Sequence, residues 1–204
     1  MALIVFEGTE GVGKSTISAM LKDRLNAEII SSSHQDFLPA VREYVNRDVT
    51  KGVMARFIYY FGANRFSNNT VQRSKAKHQI LDRYIYSTTV AHLAIDELFN
   101  RGACKEEIMD IFEKERGHML APDAIVFLYV DSETRRNRIS SSTRSDKDAL
   151  DTHDDFADRA QELFKDIAAR VKGQCSVIEI DTSRLTKEQV AEKASDELRK
   201  IGIA

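Results

Sequence analysis

Residues 8–15 read Gly-Thr-Glu-Gly-Val-Gly-Lys-Ser (GTEGVGKS), and what flanks them decides the fold. Before them stands Ala2-Leu-Ile-Val-Phe6, an unbroken apolar run that predicts a strand buried on both faces, as in the middle of a parallel sheet. After them Ile17, Leu21 and Leu25 recur at helical spacing, so a helix is expected over about 14–26. A strand that passes through Gly8-x4-Gly13-Lys14-Ser15 into a helix has the form of a phosphate-binding loop. Glycines let successive N–H groups turn inward around phosphate oxygens, and the helix N-terminus adds its partial positive charge. Thr9, Glu10, Gly11, Val12 and Thr16 complete the cradle, Lys14 reaches the outer phosphates, and the Ser15 hydroxyl can ligate magnesium. ATP with Mg2+ is the expected occupant.

Outward from this loop the chain alternates strands and helices. Short strands are expected at 28–30, 78–82, 123–130 and 177–180, with helices at about 38–47, 54–73, 87–100, 105–115 and 132–140. Phe156, Ala160, Leu163, Ile167 and Val171 mark an amphipathic helix. Thr186-Lys-Glu-Gln189 has the form of a capping box, opening a last helix with Val190, Ala194, Leu198 and Ile201 turned inward. This pattern predicts an α/β P-loop fold: a five-stranded parallel sheet with helices on both faces. One domain over 1–204 is expected, with a short polar lid at about 139–152.

Bulk properties remove several function classes. A net charge of −2, with 30% charged residues, carries no basic excess for wrapping nucleic acid. No stretch approaches the roughly 20 apolar residues of a membrane helix. Cys104 and Cys175 lie far apart without metal-ligand spacing, which fits a reduced cytoplasmic setting. No Asn-Lys-x-Asp occurs to read guanine, so a GTPase switch is disfavoured. A small-molecule kinase, an ATP-driven switch and an ATP-binding module without an acceptor remain open.

Asp82-Arg83-Tyr84 closes the third strand, where ligands of doubly wound sheets gather. Asp82 would face the magnesium beside Ser15, and Arg83 offers a planar fork to an anionic acceptor. An arginine beside the acid favours phosphoryl transfer between two anions, whose repulsion must be overcome.

FEGTEGVGKST, YYFGANRFSNN, ILDRYIYST and PDAIVFLYVDSETRRNRI, in that order, resemble the thymidylate kinase family, as do DDFADRAQELF and IDTSRLTKEQV. The resemblance implies phosphate transfer from ATP to dTMP in a homodimer. It places Phe61 on the pyrimidine ring and Arg65 on the base edge, with Lys14, Asp82 and Arg83 catalytic. It implies a lid that closes over ATP and, because the P-loop holds no arginine, a catalytic cation from that lid. Arg144 is the first candidate, with Arg138 and Lys147 beside it; Arg138 is also assigned to ATP. Two departures stand out. The Arg-Glu-Pro-Gly-Gly segment common after the second strand is absent, leaving Arg42 as the nearest substitute on the acceptor. An aromatic residue and a glutamine after the Asp-Arg pair are replaced by Ala91 and His92. These departures leave a deoxyribonucleoside kinase as an alternative, with Asp36 or Glu7 as a base on a neutral 5'-hydroxyl.

Overall fold

The computed structural model describes residues 1–31, 37–73, 75–142, 150 and 153–203. Five strands, β1 (Ala2–Glu7), β2 (Ala27–Ser31), β3 (His78–Asp82), β4 (Ala124–Tyr129) and β5 (Ser176–Asp181), form one parallel sheet in the order β2-β3-β1-β4-β5. The helices are α1 (Lys14–Leu25), α2 (Pro39–Asn46), α3 (Val53–Arg73), α4 (Ile85–Phe99), α5 (Lys105–Arg116), α6 (Ser132–Ser141), α7 (Asp154–Val171) and α8 (Lys187–Lys200).

Strand periodicity distributes β1 between two cores. Leu3 and Val5 join the side chains of α3, α4, α5 and α7 on one face; Ala2, Ile4 and Phe6 join those of α1 and α8 on the other. Alternation in the pleat makes this split unavoidable, and it explains why the run has to be apolar at every position. β1 is therefore central and its carboxyl end is surrounded. The chain order reverses there, between β3 and β4, which opens the crevice that holds the site.

The Thr186–Gln189 capping box forms in full at the start of α8. Ile201 departs from its expected inward position. α8 stops at Lys200, Gly202 turns the chain at φ +82, and Ile203 is buried while Ile201 is 41% exposed.

Candidate active site

The glycine loop takes its shape from positive φ angles at Gly8 (+141°), Gly11 (+83°) and Gly13 (+97°). Gly8 also passes so close to β4 that a Cβ there would lie 2.4 Å from the Leu128 carbonyl oxygen. No side chain caps α1 and no acid sits in its first turn, which leaves that helix end suited to an incoming anion. The Lys14 ammonium folds back onto the Thr9 carbonyl at 2.8 Å and is buried. Burial, helped by nearby Arg83, lowers its pKa, while Glu10, Asp82 and Glu7 oppose the shift.

Asp82 ends β3 level with Phe6 of β1, and its Oδ2 accepts the Ser15 hydroxyl at 2.5 Å. A hydroxyl and a carboxylate oxygen in contact at the phosphate loop are hard oxygen donors that suit Mg2+, which completes its shell with water and substrate phosphates. Among the described residues no cluster of three or more His, Cys, Asp or Glu offers a metal site made by the protein alone.

Arg83 occupies the left-handed region at φ +75. Its guanidinium forms an ion pair with Glu10 and reaches the Gly8 carbonyl and Ser87 Oγ, each at 3.4 Å. Burial works against its charge, but Glu10, Asp82 and Glu7 outweigh it and raise its pKa. Arg83 is thus a permanent cation, paired with Glu10, which lines both cavities of the site, while Arg83 itself lines the second.

The first cavity, of about 510 Å³, runs along residues 10–17 of the loop and is walled by Arg138, Thr182, Leu185, Lys187 and Val190. Arg138 is clamped there, donating to the Gly11 carbonyl at 3.2 Å and to the hydroxyl and carbonyl of Thr182 at 2.9 and 2.8 Å. The sequence reading found Arg138 but none of its companions from the end of β5 and the start of α8. Those residues lie more than 160 positions from the loop and arrive only through the sheet order.

The second cavity, of about 290 Å³, begins at Gly8, Thr9 and Glu10 and takes in Arg42, Arg56, Arg83 and Arg135. Arg42 buries its Nε there without a hydrogen-bond partner among the described residues. Arg135 is almost wholly buried and ion-paired with Asp154, which Arg136 also contacts at 3.0 Å. Ala91 and His92 line the same cavity.

Phe61 and Arg65 are not brought to this cavity, contrary to the sequence expectation. Phe61 is buried in the core with its ring 5.3 Å from that of Phe57; Arg65 is half exposed, pairing with Glu115 and donating to the His118 carbonyl. The neighbouring stripe of α3 faces the cavity instead, through Arg56 and Tyr60. Arg56 lies over the Tyr60 ring at 5.0 Å, and donates to Asn46 Oδ1 at 3.1 Å and to His92 Nε2 at 3.4 Å. His92 donates from Nδ1 to the Thr88 carbonyl at 2.7 Å, the neutral tautomer these partners require. Burial and the Arg56 charge push its pKa down to about 3, against that hydrogen bond.

Glu7 lines neither cavity. Arg144, Lys147, His34 and Asp36, and most of the expected 139–152 lid, lie outside the described residues.

A phosphate loop with its lysine and serine, an acid across from the serine, and an arginine in a second cavity that adjoins the loop define a P-loop phosphotransferase. The chain belongs to the thymidylate kinase family: the model described as "Thymidylate kinase" matches residues 6–193. A probable thymidylate kinase of Methanocaldococcus jannaschii is 24% identical over 202 residues, covering 97% of this chain and 96% of the relative. A thymidylate kinase of Campylobacter fetus is 28% identical over 185 residues, covering 89% and 92%. Among solved structures, Candida albicans thymidylate kinase superposes with a TM-score of 0.76 at 22% identity, covering 98% and 91%. The deoxyadenosine kinase of M. mycoides superposes at 0.77 with 21% identity, covering 97% and 99%. Both structures share the fold.

Proposed function

We propose that this protein transfers the γ-phosphoryl group of ATP to dTMP, giving dTDP. The observation that carries the reading is the charge of the second cavity, whose lining holds four arginines and one carboxylate, Glu10. A phosphate monoester brings about two negative charges into such a cavity. Glu10 and Asp154 offset only part of this positive charge, and a neutral nucleoside adds nothing to offset the rest, which disfavours the deoxyribonucleoside kinase alternative.

In this reading the first cavity takes ATP, with the loop glycines and α1 holding phosphates and Arg138 fixing the wall against the nucleoside end. Lys14 leaves the Thr9 carbonyl for the outer phosphates. Ser15 and Asp82 would hold Mg2+, which neutralises charge on the β- and γ-phosphates when bound. Arg83 and Arg42 hold the acceptor phosphate in line, and Arg56 with Tyr60 takes the base-side place that the resemblance gave to Arg65 and Phe61. Arg144 remains the cation assigned to the transferring group. No covalent intermediate is needed, because alignment and charge neutralisation lower the barrier. A cytoplasmic homodimer belongs to the same reading; among the described residues no helix is long and apolar enough to cross a membrane.

The test is ADP release from ATP and Mg2+ across a panel of nucleosides and monophosphates. Stimulation by dTMP is expected. Stimulation by thymidine alone would make the protein a nucleoside kinase, and slow hydrolysis indifferent to every acceptor would make it a switch or module.

A further inference from the structure

Glu7 is a fully buried acid that the transfer reaction does not use. It closes β1 behind the wall of the second cavity, where its Oε1 accepts the Tyr84 N–H at 2.9 Å and its Oε2 accepts the Ser87 hydroxyl. Both donors belong to the start of α4, for which Tyr84 is the N-cap and which has no cap from its own side chain. Glu7 therefore supplies from a neighbouring strand what a capping side chain supplies locally: an acceptor for the first turn of the helix.

The residue immediately before these donors is Arg83. Its left-handed backbone costs about 1–3 kcal/mol for a residue with a side chain, so the surroundings must enforce it. Two bonds to β1 bracket it: Arg83 N–H donates to the Phe6 carbonyl at 3.0 Å, and the next N–H, of Tyr84, donates to Glu7. A third link acts on the side chain. Ser87 gives its proton to Glu7 and turns its oxygen towards Arg83 Nη1 at 3.4 Å. Backbone and guanidinium are thus both held by the same carboxyl.

We propose that Glu7 is the positioning residue for Arg83, acting through the Tyr84 amide and the Ser87 hydroxyl to aim the guanidinium into the acceptor cavity. The proposal rests on the reading of Arg83 as the holder of the acceptor phosphate. It also removes Glu7 as a base for a nucleoside kinase, since a group behind the cavity wall cannot reach a 5'-hydroxyl.

The experiment measures KM for dTMP, KM for ATP and kcat in Glu7→Ala, Glu7→Gln, Ser87→Ala, Arg83→Ala and the Glu7→Ala/Arg83→Ala double variant. Glu7→Ala should raise the dTMP KM on the order of tenfold to a hundredfold, as expected of a displaced binding group, and leave the ATP KM nearly unchanged. Glu7→Gln keeps an acceptor for Tyr84 and should restore most of the loss. Ser87→Ala should show a smaller effect of the same kind, and keeps the test available if Glu7→Ala does not fold. The double variant should bind dTMP no worse than Arg83→Ala alone, because a positioning residue has nothing left to position. Additive losses, or equal rises in both KM values, would overturn the proposal while leaving the kinase reading intact. An Arg83→Ala variant with an unchanged dTMP KM would remove both.

Discussion

The buried carboxyl of Glu7 should give the protein an unusual dependence of stability on pH. Its pKa is raised from 4.5 to about 7, chiefly because burial strips the carboxylate of water; the Ser87 hydroxyl, Arg83 and the Tyr84 N–H all pull the other way and lose. Between these two values the folded protein holds a proton that the unfolded chain has released, so stability falls as pH rises through that window and is level above it. A separation of about 2.5 pH units corresponds to on the order of 3 kcal/mol. His92 runs the opposite way. Its folded pKa is pushed down to about 3 from 6.5, so its contribution is complete above 6.5 and is lost as pH falls towards 3. In the raw profile the two slopes overlap and largely cancel, which is why the assay must be a difference. Urea unfolding followed by circular dichroism, repeated across that range for the wild type and Glu7→Gln, isolates the carboxyl. The stability of Glu7→Gln relative to wild type should climb by on the order of 3 kcal/mol as pH rises from 4.5 to about 7, then stop. A difference that stays flat across the window would show that Glu7 ionises normally in the folded state, and would refute the desolvation argument.

Three further outcomes follow from the geometry. Lys14→Ala should lower turnover by at least on the order of a hundredfold, since it removes a cation from the developing phosphate charge, and should still unfold cooperatively in a thermal scan; wild-type-like turnover would remove Lys14 from the mechanism. Gly8→Ala and Gly13→Ala both pay about 1–3 kcal/mol for a side chain at positive φ, but only Gly8→Ala drives a Cβ to 2.4 Å from a backbone oxygen, where at Gly13 the nearest atom outside the loop stands 4.0 Å away. Gly8→Ala should therefore lose about 1–3 kcal/mol more in denaturant titrations, and equal losses would contradict the close packing against β4. Arg56→Lys keeps a charge but not the planar fork, and should raise the dTMP KM while Arg65→Ala leaves it unchanged; the reverse result would return the base to Arg65.

Much of the fold could be read directly, because local signals and global arrangement agree. The apolar run of β1 was long enough to feed both cores and too short for a helix, and the glycine loop after it could only be followed by α1. The Thr186–Gln189 box marked the start of α8 by itself. Where an element ends depends on finer events, and the placement of Ile201 failed on one of them: the turn at Gly202 exchanged it for Ile203. Arg42 and Arg83 line the second cavity as expected of the acceptor side, whereas Phe61 and Arg65 lie away from it for a different reason. Phe57 and Phe61 share one stripe of α3, and a stripe already carrying two large apolar rings belongs in the core, so the arginine that follows at position 65 is carried away to Glu115. The signal for the other stripe was present in Arg56 and Tyr60, also four apart, but nothing within the helix says which stripe turns towards Asp82-Arg83. That orientation is set by α4, through contacts such as Asn64 to Thr88 at 2.8 Å.

Read from the sequence, Glu7 offered itself as a candidate base and not as a support for its neighbours. In the sequence it is one more residue of FEGTEGVGKST, next to glycines that announce their purpose, and an acid at the edge of a phosphate site invites a catalytic role. Burial reverses that inference. A carboxyl that reached substrate would have to face a cavity, and this one faces the first turn of α4, where it accepts from an amide and a hydroxyl. Desolvating an acid costs free energy unless something in return depends on it. Next to that amide in the chain, and within reach of that hydroxyl, stands Arg83, whose backbone is strained. The cost of burying Glu7 and the strain at Arg83 are then two parts of one arrangement that fixes the acceptor arginine before any acceptor arrives.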